Sequence, residues 1–153
     1  MQLLQRSYVK YGLVMVGVVA VCLALMEMTG NNKTFDSKSP LLLIYQFIAP
    51  AVVWYLGISA RKKAQKGKLT FKQGLVEGFK IALVFGIVSP FVFTAYYLFI
   101  NPGIVDYVAN VYGLKGASTA IVIGVDMAVQ FIGALIFGTI YAAIISFFLK
   151  NRG

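Results

Sequence analysis

Four long apolar blocks leave few folds open to this chain. They cover roughly residues 8–28, 41–60, 78–100 and 119–149. A helix needs about 20 apolar residues to cross a hydrocarbon layer about 30 Å thick, and each block is about that long. Membrane barrels are built from short segments that alternate apolar and polar residues, whereas these blocks are continuously apolar. With a mean hydropathy of +0.82, the sequence predicts an all-α integral membrane protein: one domain over residues 1–153, with four transmembrane helices at about 8–28, 41–60, 70–100 and 119–149.

The positive charge is concentrated between the second and third blocks. The net charge is +9, and the loop "ARKKAQKGKLTFK" carries Arg61, Lys62, Lys63, Lys66 and Lys68. By the positive-inside rule, this loop and both termini are cytoplasmic and the other two connections lie outside. We expect the loop to act as a cytoplasmic anchor on anionic headgroups of the lipid bilayer. Nucleic acid is not an expected partner, because no soluble fold is left to bind it.

The third helix is predicted to begin inside the basic loop, before its apolar block. Thr70 followed by Gln73 is a capping-box pattern. The residues that follow are amphipathic, so we expect a cytoplasmic, interfacial start to a helix over 70–100. Glu77 and Lys80 are three residues apart and are expected to pair with each other.

Prolines divide the predicted second and third helices. Ser39 and Pro40 are typical of an N-cap followed by a first-position proline, so they begin the second helix. Pro50 and Pro90 are expected to kink their helices, because each removes one backbone donor. Such kinks are either adaptations to packing or hinges of a transport pathway. Trp54 is expected near the cytoplasmic headgroups.

A short amphipathic helix is predicted on the outer surface, within "GIVDYVANVYG". Asn101 and Pro102 again have the pattern of an N-cap and a first-position proline. Ile104 and Val108 fall on one side of the segment and Asp106 on the other. We therefore expect an outer interfacial helix before the fourth transmembrane helix.

The fourth block contains one carboxylate, Asp126, in an otherwise apolar run, a turn or two from the start of its span. Helical spacing places it on one face together with Thr119, Gln130, Gly133, Phe137 and Tyr141. In a functional interpretation, Asp126, Gln130 and Glu27 form a candidate polar face that lines a cavity for a cation, a proton or a polar ligand. In a structural interpretation, Asp126 is a hydrogen-bonded clamp to the third helix through Thr94, Tyr96 or Tyr97.

The sequence lacks the residues of the common catalytic and metal sites. It contains no histidine and a single cysteine, Cys22, so no metal site and no cofactor is expected. It also lacks a nucleophile elbow, a phosphate-binding loop and a pair of intramembrane aspartates. We expect a protein that is not an enzyme.

Several soft motifs resemble those of one family. They are "YGL" near the start of the first helix, "LTFKQGLVEGFK" after the basic loop, "YYLFINP" at the end of the third helix, and a fourth helix that closes in a basic tail. Together they resemble domain-of-unknown-function family 4199, small four-helix inner-membrane proteins common in the Bacteroidota. The resemblance implies a multi-pass protein of the bacterial cytoplasmic membrane. It implies no activity and no site residues.

Two functions remain open. The first is a non-enzymatic accessory or scaffold subunit that packs with a larger membrane complex or with itself. It is favoured by small-residue spacings such as that of Gly74 and Gly78. The alternative is a small transporter or channel that uses the polar face around Asp126. The sequence indicates a membrane-protein partner or a homo-oligomer for the first of these.

Overall fold

In the computed structural model, residues 6–30 and 40–151 are described, without the side chains of residues 41 and 42. All regular elements in this part of the chain are helical, which confirms the all-α part of the predicted fold class. In chain order they are α1 (Ser7–Met28), α2 (Pro40–Leu43), a first π segment (Ile44–Ile48), α3 (Ala49–Ala64), α4 (Phe71–Ala95), a second π segment (Tyr96–Ile100), α5 (Ile104–Val111) and α6 (Thr119–Leu149).

Among the described residues, three helical stretches are long and apolar enough to cross a membrane: Ser7–Met28, Phe71–Ile100 and Thr119–Leu149. The second apolar block forms α2, the first π segment and α3 in direct succession. Its α3 part has 16 residues and carries three basic residues in its last turn. Pro40 is the first residue of α2, and its expected N-cap, Ser39, lies outside the described residues.

The start of α4 confirms the predicted capping box. The Thr70 side chain accepts from the Gln73 backbone N–H at 3.2 Å, and the Gln73 side chain accepts from the Thr70 N–H at 3.0 Å. Two of the free backbone donors at this helix start are thus satisfied. The helix therefore begins where the sequence predicts, within the basic segment.

The expected pairing of Glu77 with Lys80 is wrong. Glu77 is only 4% exposed and its carboxylate accepts a hydrogen bond from the hydroxyl of Ser7 at the start of α1. Lys80 is exposed, and its ammonium lies 5.3 Å from the centre of the Tyr8 ring. The reason is tertiary: α1 packs across the face of α4 that carries Glu77, which sequence spacing alone does not show.

Small residues at four-residue spacing bring α4 and α6 into close contact. Four pairs lie opposite each other along the two helices: Gly74 with Ser146, Gly78 with Ala142, Ala82 with Gly138 and Gly86 with Ala134. As one number rises the other falls, so the helices run antiparallel. Small side chains allow helix backbones to approach closely in membranes. We call these four pairs the α4–α6 zipper.

Trp54 of α3 packs against the α4–α6 zipper. It is 2% exposed, and its indole Nε1 donates to the backbone carbonyl of Gly78 at 3.1 Å. Its ring packs edge-on against Phe85 with the centroids 6.3 Å apart. Trp54 is therefore an interior residue that joins three helices, and its expected place near the cytoplasmic headgroups stays a prediction.

The amphipathic helix after the third span is present but begins later than predicted. It starts at Ile104, because the Asn101 side chain does not cap it and instead donates to the Tyr96 hydroxyl at 3.2 Å. Ile104 and Val108 are buried whereas Asp106 is exposed. Since α5 packs on α6, its apolar side covers the end of α6 that carries Asp126.

Candidate functional site

Asp126 accepts hydrogen bonds from two parts of the chain. It is 4% exposed. The Tyr112 hydroxyl donates to its Oδ1 at 2.8 Å, and Gln130 Nε2 donates to its Oδ2 at 2.5 Å. Tyr97 of the second π segment lies near this carboxylate. The two hydrogen bonds tie Asp126 to its own helix and to the turn after α5, and the expected clamp to the third helix through Thr94, Tyr96 or Tyr97 stays a prediction.

Tyr112 reaches Asp126 because the chain reverses sharply behind it. Gly113 and Gly116 have φ values of +69° and +81°, a left-handed conformation that glycine adopts without strain. Tyr112 lies outside the candidate spans. Burial raises the pKa of its phenol, and the hydrogen bond to Asp126 raises it further. The phenol is thus kept in its neutral, donating form.

The two π segments position the aromatic groups around this carboxylate. A π turn inserts a residue into the helix and redirects the side chains that follow, and such turns are frequent at functional sites. In the second segment, Tyr96 and Tyr97 are both buried. Tyr96 donates to Glu27 at 2.9 Å, whereas Tyr97 turns to Asp126. The first segment supplies Tyr45 and Gln46 from the other side.

These groups enclose a cavity of about 210 Å³ beside Asp126. Its polar lining comes from α6 and the π segments, and its apolar lining comes from α1 and α4. The lining residues are Val19, Cys22, Leu23, Met26, Tyr45, Gln46, Phe93, Tyr97, Asp126 and Gln130. We call this space the Asp126 cavity.

The Asp126 cavity presents hydrogen-bond acceptors that the protein leaves open. The Gln130 side-chain oxygen, Oε1, is buried and has no hydrogen-bond partner in the described part of the chain. Within the described ranges, the groups that contact the Asp126 carboxylate are neutral donors. The arrangement is therefore suited to a donor-bearing, positively charged or protonated species.

Glu27 does not join Asp126 and Gln130. With Tyr96, it lines a separate groove of about 720 Å³ between α1 and α4, whose walls are otherwise almost entirely apolar. The structure thus brings together two of the three residues of the predicted polar face. Glu27 and Asp126 are separated because the two consecutive tyrosines of the second π segment point to different helices.

The polar face predicted for α6 also divides along its length. Asp126 is buried, whereas Thr119 is exposed and Phe137 is 64% exposed. Further along the helix, the buried positions shift to Gly138 and Ala142. The reason is that α6 meets α5 and the second π segment at one end and the α4–α6 zipper at the other.

Pro50 lies directly after the first π segment, and Tyr141 covers the backbone groups that it affects. Pro50 has no N–H to offer to the carbonyl of Gln46 four residues earlier. The Tyr141 hydroxyl lies 3.3 Å from the carbonyl oxygens of both Gln46 and Phe47. Pro90 is buried within α4, six residues before the second π segment begins at Tyr96. The kinks expected at the two prolines stay predictions.

The basic residues of the predicted anchor lie around the end of α3 and the turn after it: Arg61, Lys62, Lys63, Lys66 and Lys68. All are exposed except Lys62, which is half-buried and donates from Nζ to the Leu149 carbonyl at 2.8 Å. A cation is favourable there, because the last carbonyls of a helix carry partial negative charge. Leu69 and Asn151 exchange two hydrogen bonds of 2.9 and 3.0 Å, so the C-terminal segment is tied to the basic turn.

Sequence reasoning missed two tyrosines of the site. Tyr112 was treated as part of a surface segment, although the glycines on its C-terminal side signal a reversal that returns it toward α6. No local sequence pattern predicts that Tyr45 lies at the site, because the π segment that directs it inward depends on packing. In the described residues, no group of three histidine, cysteine or acidic side chains that could hold a metal is present.

Comparison with known proteins identifies a family but no characterised relative. A family model described as "Protein of unknown function (DUF4199)" matches residues 10–151, nearly the whole chain. No curated protein and no solved structure matches the sequence. The function must therefore be argued from the residues themselves.

Proposed function

The chain belongs to domain-of-unknown-function family 4199, and we propose that it is a non-enzymatic accessory or scaffold subunit of the bacterial inner membrane. Its apolar helices make it a membrane protein. In this proposal the second apolar block is a fourth span, so that both termini and the basic turn are cytoplasmic. The partner is either a larger membrane protein or a second copy of the chain.

Charge supports this orientation. The start of α1, the end of α3, the start of α4 and the end of α6 lie at one end of the molecule, as the hydrogen bonds of Ser7 with Glu77 and of Lys62 with Leu149 require. The basic residues at that end include Arg6, Lys10, Arg61, Lys62, Lys63, Lys66, Lys68, Lys72, Lys80 and Lys150. An end so basic favours the cytoplasmic side and anionic headgroups.

The observation that carries the proposal is a second row of small residues on α6. Ala120, Gly124 and Ala128 have the four-residue spacing of the α4–α6 zipper, yet all three are exposed. A Cβ added at Gly124 would meet nothing within 4 Å. Because α6 already packs tightly through such spacing inside the chain, this exposed row suits close contact with another transmembrane helix.

A leucine at Gly124 tests the proposal. We expect Gly124→Leu to abolish co-purification of the partner, or self-association, from native membranes in mild detergent. Gly133→Leu is the matched control, since Gly133 also lies within α6 with open space around it but on the other side of the helix. Mass spectrometry of the eluate at native stoichiometry is the measurement. Equal recovery of partner by both variants, or a lone monomer from wild type, would refute the proposed role.

The Asp126 cavity favours a second candidate, a small transporter or channel. A buried carboxylate in a membrane helix is energetically unfavourable unless it binds a ligand or conducts an ion. This one lies between two π segments, which are frequent at functional sites. The test is ion or solute flux through purified protein in liposomes, wild type against Asp126→Ala. Flux that is absent, or equal in the two proteins, would remove this candidate.

A further inference from the structure

The charge of Asp126 is not balanced by the protein around it. Its carboxylate accepts hydrogen bonds from Tyr112 and Gln130 and lies near Tyr97, and none of these side chains carries positive charge. No lysine or arginine in the described ranges pairs with it. An ionised carboxylate removed from water is strongly unfavourable without a cation or further compensation. One positive charge beside the Asp126 carboxylate would therefore be electrostatically favourable.

A second group in the same cavity, the side-chain oxygen of Gln130, can accept a hydrogen bond from a ligand. Gln130 Oε1 is buried and has no hydrogen-bond partner among the residues that the structure describes, and a buried amide oxygen without a partner is unfavourable. It belongs to the residue whose Nε2 already contacts Asp126. Acceptors on both residues thus face the same small space. A ligand with N–H donors and a positive charge satisfies both requirements, whereas an anion or an ether satisfies neither.

Aromatic rings form one wall of the Asp126 cavity. Tyr45, Phe93 and Tyr97 follow one another, with neighbouring ring centroids 6.4 and 6.2 Å apart. The faces of such rings attract organic cations. The wall from α1 is apolar, with Val19, Leu23 and Met26. A dehydrated metal ion needs several oxygen ligands, so this lining is better suited to an ammonium group that carries an apolar substituent.

The volume limits the size of the ligand. A cavity of about 210 Å³ equals the space of about seven water molecules in the liquid. It is smaller than the sites of drug-sized ligands, which begin at about 300 Å³. From the charge, the open acceptor, the rings and the volume together, we propose that the Asp126 cavity binds a small organic ammonium ion of about ten non-hydrogen atoms or fewer. The inference rests on the second candidate function and names its class of ligand.

Binding to the purified full-length protein in lipid nanodiscs tests this inference with 2-phenylethylammonium as the probe. Its neutral analogue, 2-phenylethanol, has nearly the same shape and measures partition into lipid or apolar surface. We expect wild type to bind the ammonium ion roughly 10- to 100-fold more tightly than the alcohol, the range that one charge-assisted contact supplies. Equal affinities for the two probes would overturn the inference.

Three variants locate the binding. Asp126→Asn should lose the preference for the ammonium ion, whereas Asp106→Asn, which alters an exposed carboxylate on α5, should keep it. Gln130→Met removes the open acceptor at similar volume, together with the Nε2 donor to Asp126, and should weaken binding by roughly 3- to 10-fold, about the effect of one hydrogen bond. This variant keeps the test decisive if Asp126→Asn fails to fold. Unchanged binding by Gln130→Met and Asp126→Asn would place the ligand elsewhere and refute the assignment.

Salt and flux separate the remaining outcomes. If sodium chloride stabilises wild type but not Asp126→Asn, and 2-phenylethylammonium does not bind, then the site binds an inorganic ion and the inference is wrong. If neither cation binds and only protons affect Asp126, it is wrong as well. Binding without flux in liposomes would support the ammonium site and remove transport, whereas flux of another solute without ammonium binding would do the reverse.

Discussion

The α4–α6 zipper predicts that one added methyl group at Gly78 lowers the free energy of unfolding. A Cβ at this position would overlap the methyl group of Ala142 and lie 3.1 Å from the Ala142 Cα. Because the second contact is with backbone, the two helices must separate, so we take the upper end of the cost of overpacking, about 3 kcal/mol. Alanine regains about 1 kcal/mol of helix propensity over glycine. Gly78→Ala should therefore lower the free energy of unfolding by about 2 kcal/mol.

A matched glycine on α1 separates packing from propensity. A Cβ at Gly17 meets nothing within 4 Å, so Gly17→Ala should gain about 1 kcal/mol from propensity alone. The double variant Gly78→Ala with Ala142→Gly moves the methyl group from one helix to the other. It should recover most of the loss, since the methyl–methyl overlap is gone and the propensity terms cancel.

Trp54 provides the assay. It is the sole tryptophan, is 2% exposed and donates to the Gly78 carbonyl, so its fluorescence reports on the zipper during unfolding in detergent. Gly78→Ala should unfold at lower denaturant than wild type, and Gly17→Ala at higher. Equal stability of Gly78→Ala and Gly17→Ala would refute the close α4–α6 contact. A double variant no better than Gly78→Ala would refute the pairing of Gly78 with Ala142.

Three further predictions concern the Asp126 site and the basic end. Asp126→Leu should lower stability by about 2–4 kcal/mol in a thermal melt, because it strands buried hydroxyl groups, whereas Asp126→Asn should stay folded; equal stability of both with wild type would contradict the clamp. The pKa of Tyr112 is raised above its ordinary value of 10.0. Its hydrogen bond to Asp126 is therefore fully present below pH 10.0 and is lost only as the pH rises through the higher pKa of the folded protein. An absorbance titration of wild type minus Tyr112→Phe that shows ionisation at the ordinary pKa would disprove this. Lys62→Met should cost about 0.5–1 kcal/mol through loss of the Leu149 contact, while exposed Lys63→Met should cost nothing measurable in the same melt.

Much of the helical plan follows from short-range chemistry and could be predicted. Continuous apolar stretches require helices, because in lipid each backbone group must be satisfied within its own segment. Thr70 and Gln73 mark a helix start through their own hydrogen bonds. The small-residue pairing of α4 with α6 was also within reach, since the four-residue spacings that contain Gly78 and Ala142 are visible in the sequence.

The site depended on contacts that sequence spacing does not contain. Helical periodicity placed Asp126 and Gln130 together, because they are four residues apart on one helix. It could not assign Glu27 to a different groove, since that depends on how Tyr96 and Tyr97 diverge in a π segment. The π segments themselves arise where a proline or tertiary packing disturbs the regular ladder.

The sequence by itself determined that this chain is helical and apolar, where its basic residues fall and that one carboxylate lies within an apolar helix. These properties depend on residue type and on neighbours within about one helical turn. Tertiary structure alone decided that Trp54 is interior, that Glu77 pairs with Ser7 and that three tyrosines converge near Asp126. Those contacts join residues far apart in the chain, and which residues meet is set by how whole helices pack against one another.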